Sequence, residues 1–173
     1  MRTPACRFGV GAAIALVLVA AIVHGCERPG TRPSDVSTAD VDRGVKDLLD
    51  RWKHAFESRD IEGVRSVLAT DDRFVWLEDG EPRYRSVDEI VRALAGFPPV
   101  LAFTHGLRDI RVVPISNDAA WAHLATSTKI QHSGRVVSEF TSVVLMIVRR
   151  EETGWRIHAA HTSTSKPRGP GPG

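Results

Sequence analysis

Between Val41 and Phe56 the apolar residues Val41, Val45, Leu48, Leu49, Trp52 and Phe56 recur at spacings of three and four. Lys46, Asp47, Asp50, Arg51, Lys53 and Glu57 lie mostly off that stripe. The period predicts a helix from Asp40 with one buried face. Ser58-Arg59-Asp60 interrupts it, and Asp60 can cap a short second helix carrying Ile61, Val64, Val67 and Leu68. After the Asp71-Asp72 turn, Arg73 to Leu77 reads as a strand and Glu78 to Pro82 as a tight reversal. Ser86 and Glu89 have the spacing of a capping box, so a third helix follows with Val87, Ile90, Val91 and Leu94 inward. Gly96-Phe97-Pro98-Pro99 ends it.

From there the pattern is β. Val100 to His105, Leu107 to Pro114 and Ala119 to His132 are strand-like, with turns at Ser116-Asn117-Asp118 and Ser133-Gly134. Phe140 to Arg150 is dense in β-branched and apolar residues, and predicts a strand buried on both faces. Glu151 to Gly154 makes a turn into an alternating run. Strict alternation there puts Trp155, Ile157, Ala159, His161 and Ser163 on one face, and Arg156, His158, Ala160 and Thr162 on the other. Helices first and then a curled antiparallel meander give an α+β fold, with the helices on one face of the sheet.

The N-terminus reads as an address. Arg2 and Arg7 precede an uncharged run from Phe8 to Val23, the two parts of a secretory signal peptide over residues 1–25. The run is short for a spanning helix. It ends Ile22-Val23-His24-Gly25-Cys26, which resembles the lipobox of bacterial lipoproteins. That resemblance implies lipidation of Cys26, attachment to the cell envelope, and an outer-membrane destination left open by Glu27. Residues 26–39 then form the lipidated cysteine and a flexible, proline-containing tether, residues 40–165 the domain, and residues 166–173 a disordered Pro/Gly tail.

Composition adds exclusions. The chain has 173 residues and a formal charge of +2, all of it from Arg2 and Arg7; the remainder is balanced. A nucleic-acid partner, which needs a basic surface, is not expected. Both cysteines, Cys6 and Cys26, precede the domain, so it holds neither a disulfide nor a cysteine-based metal site.

Five stretches carry a resemblance over the whole domain. They are Trp52-Lys53-His54-Ala55-Phe56 with Arg59-Asp60, Asp71 to Val75, Ser86 to Ile90, Asp118 to Trp121, and Gly154 to Ser163. In this order they resemble the SnoaL-like branch of the nuclear transport factor 2-like superfamily, over Val41 to Ser165. The resemblance implies a cone-shaped half-barrel, N-terminal helices packed on a curved antiparallel sheet, with an apolar pocket and often a homodimer through the outer sheet face. It implies no single activity, and no cofactor is expected. Ketosteroid isomerases of this superfamily use a first-helix tyrosine and a first-strand aspartate. Trp52 and Leu77 stand at those positions here, which argues against that chemistry.

Of the histidines, His105, His123, His158 and His161 fall in strands, while His54 and His132 look exposed. His158 and His161 point to opposite faces under strict alternation and cannot readily share an ion, so no metal site is expected. His105, His123 and His161 read as satisfied core or interface histidines; His158 is the one expected near the pocket. The predicted pocket gathers Trp52, Phe56, Leu77, Thr126, His158 and Thr162. The predicted dimer face includes Trp121, His123, Ile157 and His161. Two functions fit this reading. One is a membrane-tethered module that binds a small apolar ligand or a partner without turnover. The alternative is an isomerase, cyclase or hydratase using His158 as base.

Overall fold

A computed structural model describes residues 37–165. The signal segment, Cys26, most of the tether and the Pro/Gly tail lie outside the described residues. Helix α1 (Thr38–Ser58) begins two residues before the expected start, with Ser37 as its cap: the Ser37 hydroxyl accepts from the Asp40 N–H. Its inward face is the predicted stripe, with Val41, Val45, Leu48, Leu49 and Trp52 all buried. Full burial of one such aliphatic side chain contributes about 1.5–3 kcal/mol. Arg59 stops the helix in the left-handed region, at φ 56° and ψ 35°, with its backbone N–H returned to the Ala55 and Phe56 carbonyls. Asp60 caps α2 (Ile61–Val67) by accepting from Gly63 N–H, as the sequence predicts.

Strands β1 (Val75–Glu78) and β2 (Glu81–Tyr84) form a hairpin, so the predicted reversal carries a second short strand. Ser86 caps α3 (Val87–Ala95), while the Glu89 carboxylate accepts from the N–H of Arg85, one residue before the cap. Four long strands follow: β3 (Leu101–Pro114), β4 (Ala119–His132), β5 (Arg135–Glu151) and β6 (Gly154–Ser165). The two strand-like runs on either side of Gly106 are thus one strand, with its irregularity later, between Arg108 and Arg111. The sheet order is β2-β1-β6-β5-β4-β3. All neighbours are antiparallel except β1 and β6. The architecture is α+β, with helices packed against a curved, unclosed sheet.

Two sequence expectations fail in the sheet. Strand β5 is not buried on both faces. Ser142, Val144, Met146 and Val148 point into the core, whereas Val143, Leu145 and Ile147 are 43%, 43% and 39% exposed on the outer face. Composition cannot separate a doubly covered strand from one whose outer face is bare.

The second failure is the parity of β6. Ile147 pairs with Ala159, but Val148 pairs with Ile157, so β6 carries one extra residue, His158, opposite that step. A β-bulge of this kind reverses which side chains face inward beyond it. Trp155 and Ile157 are therefore inside before the bulge, and Ala160 after it. Ile157 is fully buried and belongs to the core, not to the outer face. The segment after α2 anchors the bulge: Leu68 bridges Ile157, and the Ala69 N–H donates to the Ile157 carbonyl at 2.9 Å. Trp155 packs against α1 where Gly44 leaves room. A Cβ on Gly44 would stand 2.5 Å from Trp155 Nε1.

Candidate functional site

The inner face of the sheet and the helices enclose a cavity of about 300 Å³. Its position follows from register. On β4 the even residues face inward; the outer part of that face is polar, with Thr126 and Thr128, where the deeper part is Ala120, Ala122 and Leu124. Thr126 lies opposite Ser142, Thr128 opposite both Phe140 and His105, and Ile130 opposite Phe103. Helix α1 closes one side with Trp52 and Phe56, and α3 another with Ile90, Ala93 and Leu94. Trp76 stacks on Trp52, with ring centroids 6.0 Å apart at 25°. Phe97 meets Phe103 edge to face at 5.3 Å.

Four of the six residues predicted for the pocket line it: Trp52, Phe56, Thr126 and Thr162. Leu77 does not. Its register partner is His161, and both lie on the face opposite Trp76 and Ala160. His158 does not either. The bulge places its ring between two carboxylates, with Nδ1 3.5 Å from Asp71 and Nε2 2.9 Å from Glu151. The closer contact lies off the axis that a hydrogen bond needs, so Nε2 approaches Glu151 without bonding to it. Arg156 completes that cluster. It reaches Glu151 at 3.1 Å and donates to the Arg65 and Leu68 carbonyls at 2.9 Å each. His158 therefore ties the α2–β1 loop to the β5–β6 turn, and gives the cavity no base.

The imidazole that faces the cavity is His105, which sequence reasoning placed among the structural histidines. Its Nδ1 lies 3.0 Å from the Thr128 hydroxyl, and Nε2 makes no hydrogen bond to the described residues. The ring stacks on Trp52 at 6.0 Å and meets Phe103 at 5.6 Å. Burial pushes its pKa below the ordinary histidine value; Glu57 pulls the other way and Lys53 acts with burial. The ring is accordingly neutral near pH 7. The His105 backbone N–H donates to the Glu57 carboxylate at 2.6 Å. Burial alone would raise the pKa of Glu57, but hydrogen bonds from Lys53 and from His105 hold it below the usual range. One signal could have found His105: it stands two residues after Phe103 and two before Leu107, in an alternating apolar run.

Further polar groups complete the lining. Trp76 Nε1 donates to Thr162 Oγ1 at 3.1 Å, and Ser142 Oγ reaches Thr164 Oγ1 at 3.5 Å. Trp52 Nε1 is buried with no hydrogen-bond partner among the described residues. Glu78 and Tyr84 stand where β1 and β2 meet the cavity. Among the described residues no group of histidine and carboxylate side chains is arranged to hold a metal ion.

The arrangement has relatives. The sequence matches the SnoaL-like domain over residues 45–167. No curated protein matches the chain by sequence. Among solved structures, the fold is similar to that of a nuclear transport factor 2-like superfamily protein from Salmonella enterica serovar Typhimurium, with TM-score 0.65 and 16% identity, covering 79% of this chain and 99% of that one. It is similar to a protein from Novosphingobium aromaticivorans provisionally assigned as a scytalone dehydratase, with TM-score 0.65 and 9% identity, covering 78% of this chain and 89% of that one. It is also similar to LinA, with TM-score 0.64 and 15% identity, covering 78% of this chain and 92% of that one. With the match extending over most of the chain and the fold agreeing with it, this protein belongs to the SnoaL-like domain family, on the nuclear transport factor 2-like fold.

Proposed function

We propose that the domain binds a small, mainly apolar ligand in this cavity and that His105 is its polar anchor. The observation that carries the reading is an imidazole held at Nδ1 by Thr128, with no hydrogen bond from Nε2 to the described residues, in a mainly aromatic and aliphatic enclosure. Pockets of this kind orient their ligands with a few placed polar groups. His105→Ala is expected to weaken binding by about 0.5–1.5 kcal/mol, the worth of one hydrogen bond. The check is mass spectrometry of small molecules co-purified from cell extract, followed by calorimetry of whatever is found. An empty cavity in wild type, or equal affinity in the variant, would count against the anchor.

A second reading keeps the same residue. A half-buried histidine with a lowered pKa and one ring nitrogen without a hydrogen bond to the described residues is suited to take a proton from a bound carbon acid. The provisional assignment of the Novosphingobium neighbour as a dehydratase favours an isomerase or dehydratase type of reaction. If turnover is found, His105→Gln should abolish its base limb while His158→Gln leaves it in place. The reverse result would return the role to His158.

We further propose that the domain is held at the bacterial cell envelope through lipidated Cys26, and that it pairs with its own copy through the outer sheet face. Two acyl chains anchor stably where one is marginal. Cys26→Ser should therefore shift the protein out of the membrane fraction and remove the mass of the lipid; unchanged fractionation and mass would end the proposal. The dimer is supported by exposed Val143, Leu145 and Ile147 beside Trp121, His123 and His161. A contiguous apolar strip is costly to leave in water, and a two-fold contact covers it. Sedimentation showing only monomer at high concentration would dismiss it.

A further inference from the structure

We infer that the ligand of this cavity carries a protonated amine on its compact apolar body, and that the amine sits at the rim formed by Glu78 and Tyr84. The inference rests on the ligand-pocket reading above and adds the charge class of the ligand.

Among the described residues Glu78 is the one lining residue with a formal charge at neutral pH, and no lysine, arginine or aspartate lines the cavity. Strand β1 places it two residues from Trp76 on the inner face. Across the register Glu78 lies opposite Thr162, and Trp76 opposite Tyr84. The carboxylate thus stands at the end of a wall of aromatic rings. A ligand carboxylate or phosphate entering here would lose its water and approach Glu78, and the one guanidinium at the rim, that of Arg83, is already paired with that carboxylate. That costs free energy on both counts. An ammonium meets the opposite: a carboxylate on one side and ring faces, which attract cations, on the other.

The rim already shows this mode of recognition. Arg83, on β2, has its Nε 3.4 Å from Glu78 Oε2 and its guanidinium 5.6 Å from the centre of the Tyr84 ring. Both Arg83 and Glu78 are largely exposed, with side chains 61% and 46% accessible. An exposed single-contact pair of this kind is worth little and opens readily. Arg83 therefore occupies the cation position without closing it, and a ligand amine can take its place. The apolar body then extends past Trp76 and Trp52 toward His105.

Calorimetry with three probes of one shape, naphthylmethylamine, naphthylmethanol and naphthoic acid, tests the charge class on the purified full-length protein at neutral pH and low salt. The amine is expected to bind about five- to tenfold more tightly than the alcohol, from a part-exposed carboxylate contact and a cation–π face together. The acid should bind more weakly than the alcohol. In Glu78→Gln the amine-to-alcohol ratio should fall toward one, and in Arg83→Gln it should rise. Equal affinity of amine and alcohol in wild type, or tightest binding of the acid, overturns the inference and leaves the pocket reading standing. Failure of all three to bind folded protein removes the pocket reading and this inference with it. The wild-type comparison decides the matter even if a variant is poorly folded.

Discussion

Trp52→Ala is expected to lower the stability of the domain by about 3–5 kcal/mol, the usual cost of removing a large buried aromatic residue. Trp52 is 4% exposed and joins three rings, with centroids 5.6 Å from Phe56, 6.0 Å from Trp76 and 6.0 Å from His105. It also borders an existing cavity, so truncation merges its own space with that volume and leaves little for neighbours to collapse onto. One term works the other way. The indole N–H has no partner, and leaving a buried donor unmade costs about 1–3 kcal/mol. Trp52→Phe removes that donor while keeping a ring, so it should cost far less than alanine. For a domain of this size the alanine variant should melt roughly 10–20 °C lower. Denaturant unfolding measures the free energy directly. A loss no larger in alanine than in phenylalanine would mean that the stacked rings do not hold this wall.

The second large effect is expected at Arg59. Its guanidinium donates to the carbonyls of Phe97, Pro98 and Leu101, and lies 5.4 Å from the Phe97 ring and 5.7 Å from the Phe103 ring. One side chain at the end of α1 therefore gathers the loop that joins α3 to β3, along with two aromatic walls of the cavity. Arg59→Ala leaves those carbonyls without their donor and should cost about 2–4 kcal/mol, since hydrogen bonds to charged groups are worth about 1.5–3 kcal/mol. Backbone conformation adds a test of cause. At φ 56° a residue with a Cβ is strained, and glycine is not. Arg59→Gly should therefore be less destabilised than Arg59→Ala by about 1 kcal/mol, while loosening the loop equally. Hydrogen exchange should speed up over residues 96–101 in both variants. Unchanged exchange there would show that the loop is held by its own packing and not by Arg59.

Local chemistry made much of this protein legible. The stripe from Val41 to Trp52 is buried as its period requires, because a helix long enough to show the period has only one face to bury. Asp60 and Ser86 cap the helices that follow them, since capping depends on a side-chain oxygen a few residues from the N–H groups it satisfies. The placement of Trp52 and Phe56 at the cavity rests on the same helix stripe and that of Thr162 on alternation in the last strand, whereas that of Thr126 rests on the family resemblance.

What the sequence left undecided depends on partners distant in the chain. The bulge at His158 exists because β6 must pair with β5 on one side and with Leu68 and β1 on the other. A strand has a period of two, so one extra residue exchanges the faces, and nothing in the run from Trp155 to Ser165 marks where it falls. That single step moved His158 out of the cavity, buried Ile157, and left the site to His105. His105 faces inward because β3 and β4 register it opposite Thr128, a pairing made across 23 residues. Likewise Val143, Leu145 and Ile147 have the composition of a core, and the sheet leaves them uncovered because the described helices all pack on its other face. The sequence by itself determined most of the elements, two of the three helix caps and the family; the tertiary pairing of strands decided which histidine meets the cavity, because side-chain direction in a sheet is set by register and not by residue type.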